Sequence, residues 1–267
     1  MPSVPGPPEA AALHAAFAAH GPLDWREGAW SADGIARLYG ADAARRSLEI
    51  LQRAVGVEPR LTAEFVAALP DTATPYQLDR RVKSPESLAR KIQSAAEKRK
   101  RMPPTDVLRY TALTASPHDL VAATRHVIDG LTDNGWKVTF AMHSYVDGSR
   151  YKGIHAYLTV PDFDRVEVQF HSAASVKVKE LTTQWYEIER NKQTSDHDRA
   201  VARRHCIDLS ETLPAPAGID GLATLGGRPV VVNNYSDHWM SAQPRRQRAG
   251  GGRRVAEQQG RYDGRMR

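Results

Sequence analysis

Residues 165–171 alternate without a break. Val166, Val168 and Phe170 fall on one side of an extended chain, and Glu167, Gln169 and His171 on the other. A segment with this period is a strand whose one face is dry. A carboxylate, an amide and an imidazole are costly to bury without partners, so the polar row either lines a site or lies at a wet edge. The chain must therefore build a sheet, with something to cover each face.

Other segments supply that sheet. Val107–Thr114, Lys137–His143 and Ile154–Val160 read as strands, and Pro161-Asp162-Phe163-Asp164 turns the last of these into the segment at Arg165–His171. Val230–Val232 reads as a short strand or an extended arm. Helical patterns cover Glu9–His20, Ser31–Val55 with a break at Gly40, Leu61–Leu69, Ser84–Lys100, Pro117–Asn134, Ser175–Lys192 and Asp196–Leu209. The expectation is an α+β fold: a mixed β-sheet of about five strands flanked by helices, with a helical N-terminal region. The expected divisions are residues 1–75, all helical; 76–210, carrying the sheet; 211–239, an extension; and 240–267, an Arg- and Gly-rich tail of disordered composition.

The helix at Ser84 has the clearest start. Ser84 is a good N-cap, Pro85 suits the first helical position, and Leu88, Ile92 and Ala95 form an apolar stripe. Ser87 and Lys91 are four apart and share another face. Arg81 and Lys83 stand just ahead of the N-terminus, where free N–H groups and the helix dipole already favour anions. This is either a polyphosphate cradle or a solvated basic face. No Gly-rich P-loop is present.

Charge bears on that choice. The chain is +6 overall, but Met240–Arg267 carries eight Arg against Glu257 and Asp263, which accounts for all of it. In the neutral remainder, Arg80–Arg101 holds nine cations against Glu86 and Glu97. One concentrated basic segment in a neutral body argues for a local anion site rather than a generally basic surface. Asp106, at the head of a strand, and Glu167 are the carboxylates placed to hold a divalent ion or take a proton. Tyr151 and His155 flank Gly153, where the backbone can be approached closely. This segment reads equally as a hairpin entry with a surface Tyr. Trp185 and Tyr186 are expected in the core.

Exclusions are few. No apolar run approaches the roughly 20 residues of a membrane span, and no secretory leader is expected at Met1–Pro8. Cytoplasmic action is expected, with export by a signal-less apparatus left open. Cys206 is the single cysteine, which excludes an internal disulfide and a thiolate zinc site.

The order of these pieces is more specific than any one of them. Arg-x-Lys-x3-Ser-x3-Lys, an Asp at a strand start, Tyr-x-Gly-Ile-His, Glu-Val-Gln and a helix ending Tyr-Glu together resemble the synthetase domain of the RelA/SpoT family. The resemblance runs from Arg80 to Arg190 and is nearest the toxic small alarmone synthetase branch. It implies a nucleotidyltransferase-like fold for residues 76–210 and an ATP-dependent pyrophosphokinase. Arg81, Lys83, Ser87 and Lys91 would bind ATP. Asp106 and Glu167 would be catalytic and would hold Mg²⁺. Tyr151 would stack on the acceptor base, with Lys152, His155, Gln169 and His171 around the acceptor. The implied product is an alarmone made on the 3′-hydroxyl of a guanosine or adenosine nucleotide. The implied role is growth inhibition, with an antitoxin protein as partner. Pyrophosphorylation of the tRNA 3′-CCA end is the alternative acceptor reaction. A non-catalytic nucleotide- or RNA-binding module is the alternative class.

The chain also departs from the family pattern. Arg109 comes three residues after Asp106 where Asp-x4-Arg is usual, His171 ends a motif that usually ends in Arg, and Thr183 stands where a later His is usual. These changes gather on the acceptor side.

Overall fold

The computed structural model describes residues 9–25, 31–97, 106–191 and 193–236, with the side chains of Asp164 and Arg165 left out. The expected tail at 240–267 lies outside the described residues, as does the end of the basic run at 98–101.

Four helices open the chain: α1 (Ala10–Ala18), α2 (Ala32–Tyr39), α3 (Ala41–Val55) and α4 (Glu58–Ala67). Gly40 separates α2 from α3 at φ 85°, a conformation a side chain would resist. A short edge strand β1 (Ala73–Pro75) leads to α5 (Pro85–Glu97) and then to β2 (Leu108–Thr114). The order continues α6 (Leu120–Asp133), β3 (Lys137–His143), β4 (Ile154–Val160), β5 (Phe163–Ser172), α7 (Ala173–Arg190), α8 (Asp196–Glu211), β6 (Thr224–Leu225) and β7 (Arg228–Val232).

The described strands form one mixed sheet in the order β1-β2-β5-β4-β3-β7-β6. β2 runs parallel to β5 and β7 parallel to β3, and the other neighbours are antiparallel. The α+β class and the mixed sheet match the expectation. The strand count rises from five to seven because β1 and the two-residue β6 add short edges that no hydrophobic period announces.

Register divides the sheet into two chemically different faces. Leu108, Tyr110 and Ala112 lie beside Val166, Val168 and Phe170, which in turn face Leu158, Ala156 and Ile154; all nine are buried. α6 and α4 pack on this face, and Phe65 of α4 stacks on Tyr110 with ring centroids 4.9 Å apart. The core runs on without interruption into the N-terminal helices through Leu13, Phe17, Leu48, Leu51 and Leu61, and into α5 through Leu88 and Ile92. The opposite face carries Arg109 and Thr111 beside Glu167 and Gln169, and Tyr157 and His155 on the next strand. α7 packs beside this face, with α8 against α7. Among the described residues, no helix is long and apolar enough to cross a membrane.

Candidate active site

The first cleft is built where two extended segments meet. Arg81 O accepts from Arg109 N at 2.8 Å, Lys83 N donates to Val107 O at 2.9 Å, and Val82 bridges Leu108 between them. This zip sets Lys83 beside Asp106, with Nζ 2.7 Å from Oδ2. Ser84 then caps α5, its Oγ accepting from Ser87 N at 3.2 Å. One turn beyond Ser87, Lys91 reaches the other oxygen of Asp106. A cleft of about 220 Å³ opens here, walled by Lys83, Ser84, Ser87, Asp106, Arg80 and Arg109, with Asp24 and Trp25 at its far side. Burial lowers the pKa of Lys83; Asp106 opposes that shift, and Lys91 and Arg109 add to it.

Three of the four expected ATP ligands meet around this cleft, with Lys91 joined to it through Asp106. Arg81 does not. It is 2% exposed, and its guanidinium donates to Glu58 Oε1 at 2.5 Å and to the carbonyls of Pro22, Leu78 and Phe17. The reason is local. Arg81 closes a 3₁₀ turn over Leu78–Arg80 with α-type backbone angles (φ −63°, ψ −24°), so the strand alternation with Lys83 fails and the side chain turns inward. Arg80 lines the cleft in its place, paired with Asp24 at 3.0 Å.

A second cavity of about 390 Å³ lies between the polar sheet face and the α7–α8 pair. Tyr151, His155 and Gln169 line it. Arg109 lines both this cavity and the first cleft. Behind the wall runs a polar chain. Glu167 Oε1 lies 2.9 Å from His155 Nδ1, His155 Nε2 lies 3.0 Å from the Tyr151 hydroxyl, that hydroxyl lies 2.7 Å from His171 Nε2, and His171 Nδ1 lies 3.2 Å from Ser175 Oγ. Gly153 is required at this point. A Cβ there would stand 2.8 Å from His171 Cε1 and 3.2 Å from the Tyr151 hydroxyl.

Two expected acceptor residues do not reach the cavity wall. His171 is wholly buried beneath it, in the polar chain. Lys152 points the other way from Tyr151 and pairs with Glu211 of α8 at 3.3 Å.

The electrostatics follow from burial and neighbours. Glu167 is 4% exposed. Burial pushes its pKa up, but the hydrogen bond and charge of His155, with Arg109 and a Gln169 amide hydrogen bond, bring it down to about 2. It is a carboxylate at neutral pH. His171 is held well below the ordinary imidazole range by burial, with Lys179, His155 and Arg109 adding to the shift. With its amide bound to Glu167, Gln169 leaves Oε1 buried and without a hydrogen-bond partner. Such an atom is normally satisfied.

The residues fit one mode of magnesium binding. Mg²⁺ uses one or two carboxylates together with substrate phosphates and water. Asp106 offers a carboxylate beside the cationic cleft. Among the described residues no group of three or more His, Cys, Asp or Glu could hold an ion by itself.

Several site residues escaped the sequence reading. Arg109 shows there only as a misplaced Arg, although strict alternation from Leu108 already puts it on the polar face. Lys179 sits one helical turn before Thr183 and lines the second cavity with it. Tyr186 is 41% exposed and borders the same cavity instead of joining the core. Tyr235 arrives from the chain beyond β7, and no local signal announces it.

Fold and site define an α+β protein with two adjoining, partly cation-lined clefts that share one arginine. No family model and no curated protein matches the chain. Among solved structures it is similar in fold to small alarmone synthetase 2 from Bacillus subtilis, at 11% identity and a TM-score of 0.41, over 61% of this chain and 91% of that one. Small alarmone synthetase 1 from the same organism matches at 15% identity and a TM-score of 0.38, over 63% and 90%. The type VI effector Tas1, in complex with its immunity protein, matches at 16% and 0.35, over 68% and 98%. At these scores the likeness carries no argument about activity.

Proposed function

We propose that this chain is an ATP-dependent pyrophosphokinase that moves the β,γ-pyrophosphate of ATP to the ribose 3′-hydroxyl of a nucleotide. The observation that supports it is Arg109, common to a phosphate-type cleft and a nucleotide-sized cavity, with Glu167 beside it on the next strand. Lys83, Lys91, Ser87 and the N-terminus of α5 bind and orient the triphosphate. Asp106 would hold Mg²⁺, which would supply neutralisation of phosphate charge and polarisation of the β-phosphorus. In the second cavity Arg109, Arg150 and Lys179 meet the acceptor's own phosphates, and Gln169 Oε1 accepts from one of its hydroxyl or N–H groups.

In the transfer, a bond forms between the 3′-oxygen and Pβ, the Pα–O–Pβ bridge breaks, and AMP leaves. The hydroxyl proton passes to Glu167. A carboxylate held so low is a weak base, so Glu167 acts mainly by aiming the hydroxyl. That suits phosphoryl transfer, where positioning and charge stabilisation dominate. A growth-inhibiting role and a neutralising protein partner go with this reading.

The test is incubation with ATP labelled at the γ-phosphate and a panel of GDP, GTP, ADP, ATP and bulk tRNA. The expected result is label in a nucleotide with one AMP released per transfer. Label in tRNA alone reassigns the acceptor. Release of pyrophosphate points to nucleotidyl transfer, and absence of both products leaves a binding module. Induced expression of the wild type should arrest bacterial growth, and Glu167→Gln should not.

A further inference from the structure

We propose that Tyr235 is the aromatic wall against which the acceptor's base packs, and that Tyr151 is a positioning residue for Glu167. This rests on the pyrophosphokinase reading above.

Tyr151 is tied down by its hydroxyl. A carboxylate only accepts hydrogen bonds, so His155 Nδ1–H donates to Glu167. His155 Nε2 lies 3.0 Å from the Tyr151 hydroxyl, and that hydroxyl lies 2.7 Å from His171 Nε2. The Tyr151 hydroxyl thus links both imidazoles, and through His155 the carboxylate of Glu167. Around the Tyr151 ring, three others stand edge-to-face: His155 at 5.6 Å, His171 at 5.6 Å and Tyr235 at 5.2 Å. A ring so enclosed has little face to offer, and its hydroxyl holds the catalytic carboxylate in place.

Tyr235 is less enclosed by other rings. It sits on a strap that follows β7. Asn233 N donates to His143 O at 2.8 Å, Asn234 Nδ2 to Asp147 O at 3.1 Å, and Ser236 Oγ to Gly148 O at 2.7 Å. The backbone is thus pinned on both sides of Tyr235, against the loop that leads into Tyr151. Among the described residues its one ring contact is Tyr151, perpendicular at 85°. The remaining ring surface borders the acceptor cavity, which also holds the cations Arg109, Arg150 and Lys179. A fixed aromatic ring beside three cations suits a nucleoside phosphate, because every base has a π-face to stack.

The experiment compares KM for GDP, ADP and ATP and kcat for AMP release across the full-length chain and its Tyr235→Leu, Tyr235→Phe and Tyr151→Phe variants. Tyr235→Leu should raise the acceptor KM roughly 10- to 100-fold, with ATP KM and Tm unchanged. Tyr235→Phe should restore wild-type values. Tyr151→Phe should lower kcat and leave the acceptor KM alone. An acceptor KM unmoved by Tyr235→Leu, or a silent Tyr151→Phe, overturns the inference. Equilibrium dialysis of GDP and ADP, with α,β-methylene ATP present, reads the base contact without turnover. A wild type that binds nucleotide without releasing AMP defeats the pyrophosphokinase reading, while a loss of binding in Tyr235→Leu still supports the wall. An active wild type whose Tyr235→Leu variant binds equally well defeats only the wall.

Discussion

Arg109 and Glu167 are direct register partners on the parallel strands β2 and β5. Arg109 lines both clefts and helps to keep ionised the Glu167 carboxylate, which stands behind the cavity wall. Charge that develops on the transferring group would meet Arg109 first.

Replacing Arg109 should therefore cost turnover. Arg109→Gln is expected to lower kcat for AMP release by about 10²–10³-fold, the usual cost of removing one preorganised donor to developing charge. The ATP KM should change far less. Stopped assays at saturating ATP and acceptor check this.

Asp106→Asn should abolish AMP release and remove any response to added Mg²⁺. It also strips Lys83 of its partner, and the two side chains are only 15% and 12% exposed. A loss of about 1–3 kcal/mol in urea unfolding is expected for this charge-assisted bond. Glu167→Gln should equally abolish product. Chelation with EDTA should stop catalysis without changing the circular dichroism spectrum.

Arg81→Met should act on stability, not on ATP. Glu58 is fully buried, and its Oε2 already lacks a partner. Breaking a buried pair from one side costs about 3–5 kcal/mol. Glu58→Gln with Arg81→Met should recover part of that loss. The double variant should keep its ATP KM, and a large rise in that KM would return Arg81 to the nucleotide.

Lys179 predicts a pH effect. Burial lowers its pKa to about 8, with Arg109 adding to the shift and Glu167 and Glu180 opposing it. The ammonium is present below that value and lost above it. If it meets an acceptor phosphate, the acceptor KM should rise as pH climbs from 7 to 9. Lys179→Arg should flatten the profile, since guanidinium keeps its charge across that range. KM measured against pH for both proteins decides the point.

Much of this architecture is legible in local pattern. The alternation at Val166–His171 announces a two-faced strand, and Ser84-Pro85 announces the helix that carries Ser87 and Lys91. The same logic misleads at Arg81, where spacing suggests a partner for Lys83. One turn of 3₁₀ helix reverses the side chain, and Glu58, 23 residues earlier, captures it. Tyr186 lies on the cavity rim, because an aromatic residue at helical spacing is as compatible with a rim as with a core.

The sequence by itself determined the periods: which segments are strands, which face of each is dry, where α5 begins, and that one basic segment stands in a neutral body. Those properties depend on residues within a few positions of one another. Only the tertiary structure decided which polar groups meet. Glu167 reaches His155 across a strand pair, Arg109 joins two clefts through the β2–β5 register, and Tyr235 comes to Tyr151 on a strap from beyond β7. Strand order and the path of a return segment arise from burying the whole apolar face at once, and no local window carries that information.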